Sequence, residues 1–268
     1  MIRTAVIGAA GRMGRMLVAQ IVSNPQLVLA GATEYAGAPT IGQDAAVLAG
    51  LAPSGVVVTD DLRVALEGAD VVIDFSLPDS TRQTVKVAAE LGVSMVIGTT
   101  GLPAEDRDAI TQAASSGSRI VFAPNMSIGV NLLFHLCGKV ASALGSDYDI
   151  EVVEMHHNRK KDAPSGTAVR LGEILAESTG LDYAKDTRHG REGNVGARTQ
   201  REIGMHAIRG GDVVGDHTII YATDGERVEL THKASSRETF AKGAIRAVTF
   251  LATAEPGLYD MQAVLGLE

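Results

Sequence analysis

Five short apolar-rich runs punctuate the first half of the chain: Ile2 to Ile7, Leu27 to Ala32, Val71 to Phe75, Met95 to Ile97 and Arg119 to Phe122. Each is of strand length, and each is followed by a turn and a segment with helical spacing, the first of these running from Arg12 to about Val22. Strands that are apolar throughout belong in a sheet buried on both faces, so the pattern predicts a doubly wound, parallel α/β arrangement. A long apolar helix is predicted from Ser127 to Leu144.

From Tyr148 onward the pattern changes. The runs Ile150 to Met155, Ile203 to Arg209, Val213 to Ala222 and Arg227 to His232 are longer and alternate apolar with polar positions. Turn signals join them, among them Arg209-Gly210-Gly211-Asp212 and Asp224-Gly225, and this predicts an α+β second domain with a mainly antiparallel sheet. The charged, glycine-rich segment Arg188 to Arg198 has little periodicity and reads as a mobile loop. After Ser235-Ser236-Arg237 a helical segment to about Thr253 is expected to return to the first domain.

Composition narrows the function classes. With 268 residues, 45% of them hydrophobic, the chain can bury a substantial core. A formal charge of −8 argues against a general nucleic-acid binder, because phosphate backbones are bound by positive surfaces. The single cysteine, Cys137, excludes an intrachain disulfide and a thiol-rich metal site; it lies in the apolar run Val130 to Val140, where a buried structural role is expected. The N-terminus lacks the layout of a secretion signal, and no run approaches the length of a membrane span, so a cytoplasmic location is expected, with no membrane partner.

The first strand runs directly into Gly8-Ala9-Ala10-Gly11-Arg12-Met13-Gly14. Strand, glycine turn and helix in that order form the context in which a dinucleotide pyrophosphate approaches backbone N–H groups at a helix start. The second strand ends in Thr33-Glu34, and an acidic side chain there can accept hydrogen bonds from the adenine ribose; otherwise it is an exposed strand-end carboxylate. The later strands end in Asp74-Phe75-Ser76, in Gly98-Thr99-Thr100-Gly101 and in Ala123-Pro124-Asn125-Met126-Ser127. Small, hydroxyl and amide groups at those ends suit a ribose and a nicotinamide carboxamide, although the same residue types also make ordinary turns. The candidate cofactor residues are therefore Gly8, Ala9, Ala10, Gly11, Arg12, Met13, Glu34, Gly98, Thr99, Thr100, Ala123, Pro124, Asn125 and Met126. The expected organisation is a Rossmann-type dinucleotide-binding domain over residues 1–126, completed by a C-terminal helix at 237–268, with a substrate-binding and oligomerisation domain over 127–236.

The most informative stretch lies in that second domain: Glu154-Met155-His156-His157-Asn158-Arg159-Lys160-Lys161-Asp162-Ala163-Pro164-Ser165-Gly166-Thr167. A strand ends in two histidines, a basic loop follows, and Pro164-Ser165-Gly166-Thr167 reads as the start of a helix running to about Ser178. The unpaired N–H groups and positive dipole end of a helix start favour a carboxylate or phosphate, and Lys160 and Lys161 add full charges. A small anionic substrate fits this better than a solvated surface loop.

These segments together closely resemble the bacterial dihydrodipicolinate reductase family, now more often called 4-hydroxy-tetrahydrodipicolinate reductases, over essentially the whole chain. The carriers are the Gly8 to Gly14 turn, Asp74-Phe75-Ser76, Gly98 to Gly101, Pro124 to Ser127, the His156 to Thr167 segment and Thr231-His232-Lys233-Ala234-Ser235-Ser236-Arg237. The resemblance implies reduction of 4-hydroxy-tetrahydrodipicolinate in the diaminopimelate route to L-lysine, with His156 exchanging a proton, Lys160 as a second acid, and His157, Gly166 and Thr167 holding substrate carboxylates. It also implies a homotetramer built through the substrate-domain sheet and no metal. Members that use the phosphorylated cofactor well commonly carry an arginine after the acidic residue of the second strand, whereas here Glu34 is followed by Tyr35. NADH preference is expected, with NADPH use left open.

Three rival readings have less support. Another two-domain dehydrogenase gives no reason for His156-His157 beside Pro164-Ser165-Gly166-Thr167. A metal site on His156, His157 and Asp162 is disfavoured because adjacent strand residues point to opposite faces. A dinucleotide sensor would bind cofactor without turnover.

Overall fold

The structure, a computed structural model, describes residues 1–267. The chain divides into two compact units, residues 1–128 together with the segment from Glu238 onward, and residues 129–237. Each is described by itself.

The first unit opens with β1 (Ile2–Ile7), the glycine turn and α1 (Arg12–Val22), which buries Gly14, Leu17, Val18 and Ile21, the spacing of one helical face. Gly14 cannot be replaced by a residue with a side chain, since a β-carbon there would stand 2.1 Å from the Gly8 carbonyl oxygen. Gly8 itself takes φ +66°, which turns the chain sharply out of β1. After β2 (Leu27–Ala32) come two short helices not expected from the apolar pattern, α2 (Ala45–Leu48) and α3 (Leu62–Leu66). Asp44 and Asp61 cap them through the backbone N–H groups of Ala46 and Val47, and of Arg63 and Val64. The alternation then resumes with β3 (Val71–Asp74), α4 (Pro78–Leu91), β4 (Ser94–Ile97), α5 (Ala104–Ser115) and β5 (Arg119–Phe122).

The second unit is built on α6 (Ile128–Leu144), β6 (Asp149–His156), α7 (Gly166–Thr179), α8 (Tyr183–Asp186), β7 (Thr187–His189), β8 (Ile203–Arg209), β9 (Gly215–Thr223) and β10 (Glu226–Ala234). Its sheet has the order β10-β9-β6-β8-β7 and is mixed. The β9 strand runs antiparallel to β6 and β10, but β6 with β8 and β7 with β8 are parallel. The expectation of a mainly antiparallel sheet is thus corrected. The physical reason is the crossover: α7 lies between β6 and β8 and returns the chain to the end of the sheet where it started, whereas only β9 and β10 are joined by a tight hairpin. Period-two alternation is the same for either direction and cannot tell them apart.

Two further details depart from expectation. The segment after β7 is a loop, but it is tied down: Arg191 reaches Glu151 at 2.7 Å and Glu202 at 2.6 Å, and Arg198 reaches Asp149 at 2.7 Å and Glu151 at 2.9 Å. The helical stretch Ile128–Asp147, 20 residues with mean hydropathy 1.4, is long and apolar enough to cross a membrane by length and composition, which corrects the expectation that no run approaches that length. Its Val130, Leu133, Phe134, Cys137 and Ala141 contribute to the core of this unit, with Leu171 and Leu175 of α7 and Ile219 and Tyr221 of β9.

The chain then rejoins the first unit through α9 (Glu238–Leu251), β11 (Gly257–Tyr259) and α10 (Met261–Leu265). The expected single helix over 237–268 is therefore a helix, a strand and a helix, because Pro256-Gly257 ends the helical pattern and the strand is too short to register as an apolar run. With β11 beside β5 the first sheet has the order β11-β5-β4-β3-β1-β2, every pair parallel. One face buries Leu17, Val18, Ala244, Ala247 and Val248 from α1 and α9, the other Val85, Ala88, Ile110 and Ala114 from α4 and α5. This is a Rossmann-like, three-layer α/β unit.

Candidate active site

All the cofactor candidates lie at or just beyond the carboxyl ends of strands in the first sheet, where open α/β sheets bind ligands. Gly8, Ala9 and Ala10 form the turn after β1; Gly11 is the N-cap of α1, and no side chain caps that helix. Arg12 and Met13 are its first two residues. Glu34, just past β2, accepts a hydrogen bond at 3.1 Å from the Ala10 N–H, so the acidic residue and the glycine turn are joined directly. Tyr35 beside it is 68% exposed. Beyond β4, Gly98 N–H bonds the Asp74 carbonyl at 2.9 Å, and the Thr99 hydroxyl is held by Thr81 at 2.8 Å. Asp74 is buried and accepts from the Ser76 N–H and hydroxyl at 2.9 and 2.5 Å, while its Oδ2 has no hydrogen-bond partner. Ala123, Pro124, Asn125 and Met126 follow β5, but Met126 is a core residue, fully buried with its carbonyl against Gly243 of α9. An open helix start, close-approach glycines and an acidic strand end fit a nicotinamide dinucleotide.

The second unit carries the titratable cluster. In β6 every second side chain is buried, which puts Glu154 and His156 on the inward face with Ile150 and Val152. Glu154 is almost fully enclosed, and four donors meet its carboxylate. Arg209, the last residue of β8, bonds Oε2 at 2.7 Å and Oε1 at 2.8 Å; His156 Nδ1 lies 2.7 Å from Oε2; the Ser165 N–H donates to Oε1 at 3.0 Å. Burial raises the affinity of Glu154 for a proton, but the donors of Arg209, His156 and Ser165 outweigh it and hold the carboxyl below its usual range.

Ser165 is also the N-cap of α7, its Oγ accepting from Ala168 N–H at 3.2 Å. The same hydroxyl lies 3.1 Å from Nε2 of His217, a buried residue of β9 whose ring meets His156 edge to face at a centroid distance of 5.2 Å. Burial and the neighbouring His156 push His217 down to about 4, so it is neutral near pH 7. Gly166 and Thr167 are the first residues of α7. On the preceding loop Lys160 forms an ion pair with Asp162 at 2.9 Å, a contact that lowers the Asp162 carboxyl. His157, partly buried, is pushed down by burial first and then by the surrounding cations Arg159 and Arg237.

Every candidate from His156 to Thr167 thus lies on one continuous structure, the end of β6, its loop and the start of α7. Three members were not singled out from sequence: Glu154 as the hub, Arg209 as its partner, and His217. A signal for His217 existed, because Gly215, His217, Ile219 and Tyr221 share the buried phase of β9, and a histidine in that phase is conspicuous. No group of three or more metal-binding side chains occurs among the described residues.

A parallel nucleotide-type sheet with an open glycine turn, accompanied by a histidine and lysine cluster at a helix start, defines the class: a nicotinamide-dependent oxidoreductase acting on a small substrate. Comparison with known proteins narrows it. Sequence profiles for "Dihydrodipicolinate reductase, N-terminus" and "Dihydrodipicolinate reductase, C-terminus" match residues 2–126 and 129–265. The 4-hydroxy-tetrahydrodipicolinate reductases of Hahella chejuensis and Syntrophotalea carbinolica are 48% and 49% identical over 268 residues, covering 100% of this chain and of theirs. A dipicolinate-bound dihydrodipicolinate reductase from Paenisporosarcina superposes with TM-score 0.75 at 25% identity, covering 97% of each chain. The chain belongs to the dihydrodipicolinate reductase family.

Proposed function

We propose that the protein catalyses the nicotinamide-dependent reduction of 4-hydroxy-tetrahydrodipicolinate to tetrahydrodipicolinate, a step toward diaminopimelate and L-lysine. The observation that carries this reading is that His156 and Ser165, the N-cap of α7, are anchored to one carboxylate, Glu154, at 2.7 and 3.0 Å. A proton-exchanging group and an anion-binding helix start are thereby held in fixed register, as a small dicarboxylate with an ionisable ring nitrogen requires. The relative from Paenisporosarcina is described with dipicolinate, a compound of that class.

The overall change adds a hydride and a proton and releases water. The dinucleotide, when bound, supplies the hydride. His157, Gly166 and Thr167 hold the two carboxylates, the latter two through the start of α7. Lys160 and His156 place positive charge and exchangeable protons beside the ring nitrogen and the departing hydroxyl, which makes the ring electrophilic and assists loss of water. In the first unit Gly8 to Met13 hold the pyrophosphate, Glu34 the adenine ribose, and Gly98 to Thr100 with Ala123 to Met126 the nicotinamide side.

Glu34 followed by Tyr35 favours NADH: the carboxylate suits ribose hydroxyls and opposes a 2′-phosphate, and no guanidinium follows it. The active form is a homotetramer assembled through the mixed sheet, whose outward positions Val153, Met155, Ile208 and Ile220 are incompletely covered. The enzyme works in the cytoplasm, with α6 as a core helix, consistent with the five apolar side chains it places in the core of its unit. Steady-state turnover of freshly generated 4-hydroxy-tetrahydrodipicolinate with NADH and NADPH side by side tests the reading. Oxidation of either supports it; silence with both, despite dinucleotide binding, removes it in favour of another dehydrogenase or a sensor.

A further inference from the structure

Glu154 lies outside the histidine, lysine and helix-start groups just assigned to substrate, yet it touches the supports of all of them. Both carboxylate oxygens are saturated, Oε1 by Arg209 Nη2 and the Ser165 N–H, Oε2 by Arg209 Nη1 and His156 Nδ1. The residue is 1% exposed, so water does not share these bonds. An ionised carboxylate only accepts hydrogen bonds, and the guanidinium and the N–H can only donate. Nδ1 of His156 must therefore carry a hydrogen, and every proton that His156 exchanges passes through Nε2. Arg209 extends the same hub to the lysine loop, since its Nη2 also donates to the Asp162 carbonyl at 2.7 Å, two residues from Lys160.

We propose that Glu154 is a positioning residue for the reaction: it fixes the tautomer and ring orientation of His156 and sets the Lys160 loop and the start of α7 in register with it. This deepens the function proposed above and rests on it for the role of His156. The charged and titratable groups facing the hub are Arg209 from β8, His217 from β9 with His232 opposite it on β10, and Lys160 and His157 from the loop. Arg209 neutralises the charge of Glu154, so the carboxylate can stay buried and ionised while it orients the imidazole.

Two measurements test the proposal. Nitrogen-15 spectra of the histidines in unliganded protein report the tautomer without any turnover; neutral His156 is expected with hydrogen on Nδ1, and hydrogen on Nε2 overturns the proposal whether or not any variant folds. Glu154→Gln removes the charge at nearly constant shape. It is expected to keep dinucleotide affinity within about twofold, to lower kcat by about 10- to 100-fold, as loss of a group that orients a functional imidazole typically does, and to let the Nε2–H tautomer of His156 appear in the nitrogen-15 spectrum, because an amide can donate to Nδ1 where a carboxylate only accepts. A loss of kcat with the His156 spectrum unchanged would leave Glu154 a purely structural residue and contradict the proposal. If the wild-type protein shows the Nδ1–H tautomer but reduces no 4-hydroxy-tetrahydrodipicolinate, it is the assigned activity that fails and not the placement of His156 by Glu154.

Discussion

A β-carbon on Gly215 would stand 2.9 Å from Nε2 of His156. Nδ1 of the same ring is engaged by Glu154, so the absence of a side chain on β9 keeps the remaining nitrogen clear. Gly215→Ala is therefore expected to displace or block the imidazole. Because small misplacements of a proton-transfer group are costly, kcat should fall about 10- to 100-fold. The methyl group adds little strain elsewhere, and a stability loss of about 1–3 kcal/mol is the range for overpacking a buried position. Steady-state kinetics beside a thermal melt separates the two effects; unchanged kcat would show that Nε2 does not need that space.

Lys160 is held by Asp162 at 2.9 Å, which fixes where its amino group lies. Lys160→Ala should leave dinucleotide affinity intact, because every dinucleotide candidate lies in the first unit. Turnover should drop about 10²- to 10⁴-fold, the usual contribution of a positioned acid. Calorimetric titration with NADH and an activity assay on the same preparation check both halves of the expectation.

Tyr35 is 68% exposed next to Glu34, and this pair underlies the expected NADH preference. Tyr35→Arg should raise kcat/KM for NADPH relative to NADH by about 10-fold, since a solvent-exposed guanidinium–phosphate contact is worth less than the 1.5–3 kcal/mol of a well-formed charged hydrogen bond. The ratio of the two specificity constants in variant and parent is the measurement.

His217 gives a pH dependence with a definite sign. Its folded value is pushed down to about 4 from 6.5, so the unfolded chain binds the proton more readily. Stability is fully present above the unfolded value and is lost as pH falls from about 6.5 toward about 4, by on the order of 3 kcal/mol. Urea melts at several pH values across this window should show the decline. His217→Gln, which can still pair with the Ser165 hydroxyl but does not titrate, should flatten it.

Local signals account for what was legible in the amino-acid sequence. The Gly8 to Gly14 turn and α1 could be read because three glycines, a strand before and a helix after occur within about twenty residues, and each constraint is local. The His156 to Thr167 segment was legible for the same reason. Strand direction in the second sheet was not, since alternation is blind to it and the deciding feature was α7 between β6 and β8. Strand β11 escaped because three residues carry no period. Glu154 and Arg209 are 55 residues apart and meet only through the β6–β8 pairing, so no window along the chain could have joined them.

The reaction assigned to this chain is hydride transfer from a nicotinamide to 4-hydroxy-tetrahydrodipicolinate. It is tested most directly by mass spectrometry of the product formed from that substrate with NADH deuterated at the transferable position. One deuterium retained per molecule of tetrahydrodipicolinate is predicted, with water released and NADH oxidised in equal amounts. Unlabelled product, or substrate recovered intact while the dinucleotide is demonstrably bound, would rule out that transfer.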